Sequence, residues 1–202
     1  MPKIGMEPIR KEALVRATIH EIGRVGSLDV TVSQIAKRAG MSSALAHHYF
    51  GSKEQIFLAA MRHVLTLYGA EVRGALGVSS TPGKRLQAVV RANFGTSSFR
   101  REAIGAWLNF YVLAQTQPEA KRLLTIYQSR LHSNLCHDLR QLIGDRAPSV
   151  ARVVAALIDG VYIREVLKNG APDGAAAAEM VLSYLALALG TSGEANLPLA
   201  GE

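Results

Sequence analysis

An all-α fold follows from three features of the 202-residue sequence. Apolar residues recur at helical spacing in one segment after another, no segment alternates with the period of a strand, and clusters of Gly, Pro, Ser and Thr punctuate the chain between those segments. The organisation expected is an N-terminal three-helix unit over 1–53, a larger helical unit over 54–190, and a flexible tail of small residues over 191–202.

The first helix is expected from about Ile9 to Val25, with Leu14, Ala17, Ile19 and Ile22 near one face and Gly26 as its stop. Two short helices follow, Val32 to Ala39 and Ser43 to Phe50. Ser52-Lys53-Glu54-Gln55 reads as a capping box that opens a long helix to about Leu76. Thr81-Pro82 supplies an N-cap and a first-turn proline for a helix over 82–95, and Gly95 to Ser98 breaks it. Helices near 100–116, 118–143, 149–168 and 174–190 complete the chain, separated by Gln117-Pro118, Gly144 to Pro148 and Asn169 to Pro172.

Composition narrows the functional classes. The net charge of +7 is uneven: residues 1–53 hold eight Lys/Arg against four Asp/Glu, so +4 falls on the first quarter and +3 on the rest. Such a balance suits a polyanionic partner. Cys136 is the one cysteine, which excludes an intramolecular disulfide and a multi-cysteine metal site and fits a reducing compartment, with the thiol packed. No segment reaches the ~18 uninterrupted apolar residues of a membrane span, so no membrane partner and a cytoplasmic location are expected. No glycine-rich phosphate loop, nucleophile elbow or supported catalytic triad is present, which argues against an enzyme.

The segment VSQIAKRAGMSSALAHHYF, which begins at Val32, has the spacing of a helix-turn-helix. Ala36 is small where two helices must touch, Gly40 tolerates the positive φ of the turn, and Met41 plugs the corner. Leu45, Ala46 and Tyr49 return to a core shared with Ile35. The other face of the second helix, capped by Ser42, presents Ser43, Ala44, His47 and His48, and a helix so placed fits the major groove. His47 is expected to read a base, while His48 fits either a base or the backbone. Lys53, at the start of the next helix, is placed to bind a phosphate, a contact that positions without specifying. Thr31 and Gln34 complete the expected contact set with Ser42, Ser43, Ala44, His47, His48, Tyr49 and Lys53.

Thr31 to Lys53, with its Ile-Ala pair, its Ala-Gly-Met-Ser turn and Tyr49-Phe50 ahead of Ser52-Lys53, resembles the DNA-binding signature of the TetR family of repressors. His47 departs from the tyrosine that many members carry at that place. MPKIGMEPIR, HHYFGSKEQIFLAAMRH, AWLNFY, RLHSNL and ALIDGVYIR extend the resemblance over about residues 1–190 to the choline-sensing members of that family. The resemblance implies a homodimer on a palindromic double-stranded operator near genes for choline uptake and oxidation to glycine betaine, with no cofactor and with choline as the effector that relieves repression.

Two further readings concern the C-terminal part. VARVVAALIDGVYIREVL and AAAAEMVLSYLALALG are apolar nearly all round, so each is expected to be buried on all sides, either centrally or under a second copy. Leu185 is expected inside the dimer surface. Trp107, Phe110, Tyr111 and Ala114 form one stripe of the helix AIGAWLNFYVLAQ, followed by Tyr127 and Tyr162 on later helices. Aromatic stripes are often plain core. Asp159, however, lies amid apolar residues and needs a partner, either Arg130 or Arg164 or a cationic ligand held by π faces. The expected ligand set is therefore Trp107, Phe110, Tyr111, Tyr127, Asp159 and Tyr162. His132, Asn134 and His137 fit one polar side of a helix, near Arg130 and Asp138, better than a metal site.

Overall fold

A computed structural model describes residues 5–190, and the expected tail at 191–202 lies outside them. The described residues form nine α-helices, one short 3₁₀ turn and no strand. In order these are α1 (Met6–Val25), α2 (Val32–Arg38), α3 (Ser43–Phe50), α4 (Lys53–Gly77), α5 (Pro82–Asn93), α6 (Arg101–Thr116), α7 (Pro118–Ile143), the 3₁₀ turn Gly144–Arg146, α8 (Ala147–Leu167) and α9 (Gly174–Leu189).

Local chemistry sets these bounds. Thr81 accepts from the Lys84 N–H at 3.3 Å with Pro82 in the first turn, and Gly26, at φ 77°, closes α1 through a bond from its N–H to the Ile22 carbonyl. The expected box at Ser52 is made only in part. Its hydroxyl accepts from the Gln55 N–H at 3.3 Å, but its own N–H donates to the Phe50 carbonyl at 3.0 Å. The reciprocal box forms instead at α2, where Thr31 Oγ1 accepts from the Gln34 N–H and Gln34 Oε1 accepts from the Thr31 N–H at 2.7 Å.

The chain divides into two compact units. The first takes the residues up to Thr66 together with Arg100–Leu124, and the second takes Leu67–Phe99 together with the residues from Thr125 on. In the first unit Leu14, Ile22, Ile35, Ala36, Ala46, Ile56, Met61 and Phe110 are fully buried in one cluster. Helices α1 and α6 meet there backbone to backbone: a Cβ on Gly23 would lie 2.4 Å from the Glu102 Cα, and one on Gly105 would lie 2.7 Å from the Gly23 Cα. Asn109 adds a bond from its amide to the Gly26 carbonyl at 3.3 Å.

In the second unit Leu86, Val89, Leu131, Leu135, Leu139, Val154, Ile158, Val181, Leu182 and Leu185 are buried. Asp138, assigned to a polar helix side on sequence grounds, is instead buried and pairs with Arg85 Nε at 2.8 Å. Arg85 also donates to the Leu76 carbonyl at 3.3 Å, so one guanidinium joins α4, α5 and α7. Helices α8 and α9 are not covered all round within the chain. Each buries one face and leaves a largely apolar face in solvent: Val153, Ala156, Gly160 and Leu167 with Arg164 among them on α8, and Ala176, Met180 and Leu187 with Ser183 among them on α9. Leu185 belongs to the buried face, fully enclosed by its own chain, which corrects its expected place on the dimer surface.

Candidate functional site

The corner between α2 and α3 is built as its residues require. Ala36 is fully buried, Gly40 takes φ +67°, and the Met41 N–H donates to the Ala36 carbonyl at 2.9 Å. Ala46 is buried and Tyr49 packs against the same cluster, which leaves Ala44, His47 and His48 exposed and Ser43 partly so. Leu45 is half-buried. The Ser42 hydroxyl caps α3 by accepting from the Leu45 N–H at 3.2 Å.

Contacts around the corner constrain what each candidate offers to a ligand. Thr31 Oγ1 and Gln34 Oε1 are engaged in the α2 cap, so the Gln34 amide nitrogen is the end of that side chain that the cap leaves over. Tyr49 Oη accepts from Arg10 at 3.4 Å, which ties α1 to the second helix of the motif. Lys53 Nζ sits 5.3 Å from the centroid of Phe57. Behind the corner, buried Glu21 bonds Arg24 of its own helix at 2.8 Å and Arg38 at the end of α2. The Arg24 hydrogen bond, joined by that of Arg38, holds the Glu21 carboxyl below the usual carboxylate range. Glu21 and Arg24 stand at the local i, i+3 spacing, whereas Arg38 lies 17 residues from Glu21, outside any pattern that sequence reading could have paired.

The six candidate ligand residues divide between the units. Trp107, Phe110 and Tyr111 lie in the first, with ring centroids 6.4 Å apart for Trp107 and Phe110 and 6.5 Å apart for Trp107 and Tyr111. Phe110 is fully enclosed in the core, whereas Tyr111 is half-buried. Tyr127, Asp159 and Tyr162 lie in the second unit. Tyr127 donates its hydroxyl proton to Asp159 Oδ1 at 3.0 Å, so the carboxylate has a phenol as partner. Tyr162 donates to the Ser98 carbonyl at 2.8 Å and stacks on Phe99 at 5.5 Å.

Two residues join this second group that the sequence did not single out. Tyr68 of α4 meets Tyr127 edge to face at 5.3 Å, and Asn93, buried at the end of α5, hydrogen-bonds the Tyr68 phenol. Burial first, and then the Asp159 charge, push the Tyr68 phenol up; burial alone does so for Tyr162. The two rings meet at 67°, with the Asp159 carboxylate on the Tyr127 hydroxyl. Tyr68 gives no sequence signal, since one tyrosine on an amphipathic helix is ordinary. His132 bonds the Pro148 carbonyl through Nε2 at 3.3 Å, and among the described residues no three His, Cys, Asp or Glu side chains gather to hold a metal.

Comparison with known proteins shows the family. Residues 14–60 match the N-terminal domain of bacterial regulatory proteins of the TetR family, and residues 82–190 match the C-terminal domain of BetI-type transcriptional repressors. The chain belongs to the TetR family of DNA-binding transcriptional regulators, and within it to the BetI type. The HTH-type transcriptional regulator BetI of Brucella anthropi is 50% identical over 190 residues, covering 94% of this chain and 98% of that protein. A transcriptional regulator of Pseudomonas aeruginosa PAO1 shares the fold with a TM-score of 0.80 at 21% identity, covering 91% of each chain. A transcriptional regulator of Saccharomonospora viridis, solved in complex with choline, does so with a TM-score of 0.77 at 21% identity, covering 87% of this chain and 94% of that one. Family members are regulators and not enzymes; they bind DNA, dimerise and respond to small molecules. No helix among the described residues is long and apolar enough to cross a membrane.

Proposed function

We propose that this chain represses genes for choline uptake and glycine-betaine synthesis, acting in the cytoplasm as a homodimer on a palindromic operator, and that choline releases it. The observation that carries the choline reading is the grouping of Tyr68, Tyr127 and Asp159 in the second unit. A trimethylammonium head is a permanent cation with no N–H to donate, so a site for it supplies π faces and a balancing carboxylate. A fatty chain would need neither. The choline bound by the Saccharomonospora viridis protein of the same fold is in keeping with this ligand.

On the DNA side, α3 enters the major groove with Ser43, Ala44, His47 and His48 toward the bases. Thr31, Gln34, Ser42, Tyr49 and Lys53 hold the backbone. Two such helices in a two-fold dimer read a palindrome.

The test is release of a labelled fragment from upstream of the gene, followed by fluorescence anisotropy. Choline is expected to release it, and neutral 3,3-dimethylbutanol, which has carbon in place of nitrogen, is expected to release it poorly. Asp159→Asn and Tyr68→Leu should keep DNA binding while the choline needed for half release rises several-fold, in line with about 0.5–2 kcal/mol per cation–π face. Trp107→Leu measures whether the aromatics of the first unit contribute as well. Equal release by the neutral analogue would reduce the site to an apolar pocket and overturn the charge assignment.

A further inference from the structure

His47 is tied to the turn that follows its helix by two bonds. Its carbonyl accepts the Gly51 N–H at 2.7 Å, and its ring Nδ1 lies 3.1 Å from the Gly51 carbonyl oxygen. A carbonyl only accepts, so Nδ1 carries the hydrogen. Gly51 has φ 77° and ψ −56°, and the Ser52 N–H closes across it onto the Phe50 carbonyl at 3.0 Å. That is a γ-turn with positive φ, which glycine adopts without a Cβ clash. The ring is therefore held in one tautomer by backbone, while the residue stays exposed on the outer face of α3. In a neutral imidazole with the proton on Nδ1, Nε2 is an acceptor.

We infer that His47 sets operator specificity by accepting, through Nε2, a hydrogen bond from an exocyclic amino group in the major groove. The amino group is N6 of adenine or N4 of cytosine; N7 of the purines and O6 of guanine are acceptors and offer this ring nothing. The inference rests on the proposed docking of α3 in the groove. It adds which chemical group the side chain selects, and it separates His47 from a tyrosine at the same place, whose hydroxyl both donates and accepts.

The experiment has two stages, both at pH 8 with the full-length protein. A base-pair scan of the operator with wild type and His47→Ala first finds the position at which only the wild type discriminates. Single groups are then deleted there: the amino group, by purine for adenine or 2-pyrimidinone for cytosine, or N7, by the 7-deaza purines. Amino deletion is expected to weaken the wild type by about 3–10-fold, as for one net hydrogen bond, beyond any change in His47→Ala. Removal of N7 should leave the two proteins shifted alike. Sensitivity of the wild type to N7 and not to the amino group would overturn the inference and leave base reading by His47 intact. A scan in which His47→Ala flattens no position would overturn both. Nitrogen-15 NMR of the ring in the DNA-free protein gives an independent check, since a proton found on Nε2 contradicts the inference without reference to an operator.

Discussion

At the level of single residues, Glu21 ties α1 to the end of α2. It is 4% exposed and bonded to Arg24 and Arg38, and Arg38 ends the helix that precedes the turn. Glu21→Gln is expected to cost about 1–3 kcal/mol at pH 7, toward the lower end because both guanidiniums reach solvent. The pH dependence follows from the lowered carboxyl pKa, caused chiefly by Arg24. A carboxyl lowered on folding stabilises the native state above its ordinary value near 4.5, and that contribution is lost as pH falls through the lowered value. Urea unfolding at neutral and acid pH should therefore show the gap between wild type and Glu21→Gln narrowing in acid. A gap of constant size would mean that the charge on Glu21 is not what stabilises the corner.

At the scale of elements, the packing of α1 on α6 is decided by two glycines. Because a Cβ on Gly23 would meet backbone 2.4 Å away, the substitution has no side chain to push aside, and one helix must move. Gly23→Ala is expected to destabilise the first unit by about 1–3 kcal/mol as overpacking does. Gly74 of α4 supplies the contrast, being helical and exposed with nothing within 4 Å of its would-be Cβ. Gly74→Ala should be neutral or stabilising by up to about 1 kcal/mol, since glycine weakens a helix interior. Thermal unfolding of the two variants separates the effects: equal and small shifts would refute the close approach.

For the whole molecule, the exposed, largely apolar faces of α8 and α9 are the surface that a second copy is expected to cover. Met180 and Leu187 are 63% and 73% exposed on one side of α9. Leu187→Glu should shift the protein from dimer to monomer in sedimentation while helical content persists. Leu185→Glu should unfold the chain instead, because that side chain is enclosed in its own core. A wild-type monomer at micromolar concentration would rule out this interface.

The helices, the corner of the motif and the excess of positive charge on the first quarter of the chain are legible in the amino-acid order alone. The reason is range. Helical periodicity, an N-cap such as Thr81 and the bond from Met41 to Ala36 all act within about a turn or two, so neighbours in sequence suffice to specify them. The sequence singled out Tyr127 as an aromatic and Asp159 as a carboxylate in an apolar context that needs a partner, but not that each is the other's partner 32 residues away. The pairing of Glu21 with Arg38 and of Arg85 with Asp138, the meeting of Gly23 with α6, and the arrival of Tyr68 beside Tyr127 with Asn93 on the Tyr68 phenol are visible only in three dimensions. Those contacts depend on how helices cross, and a crossing is fixed by the summed packing of whole faces, which no single residue's spacing records.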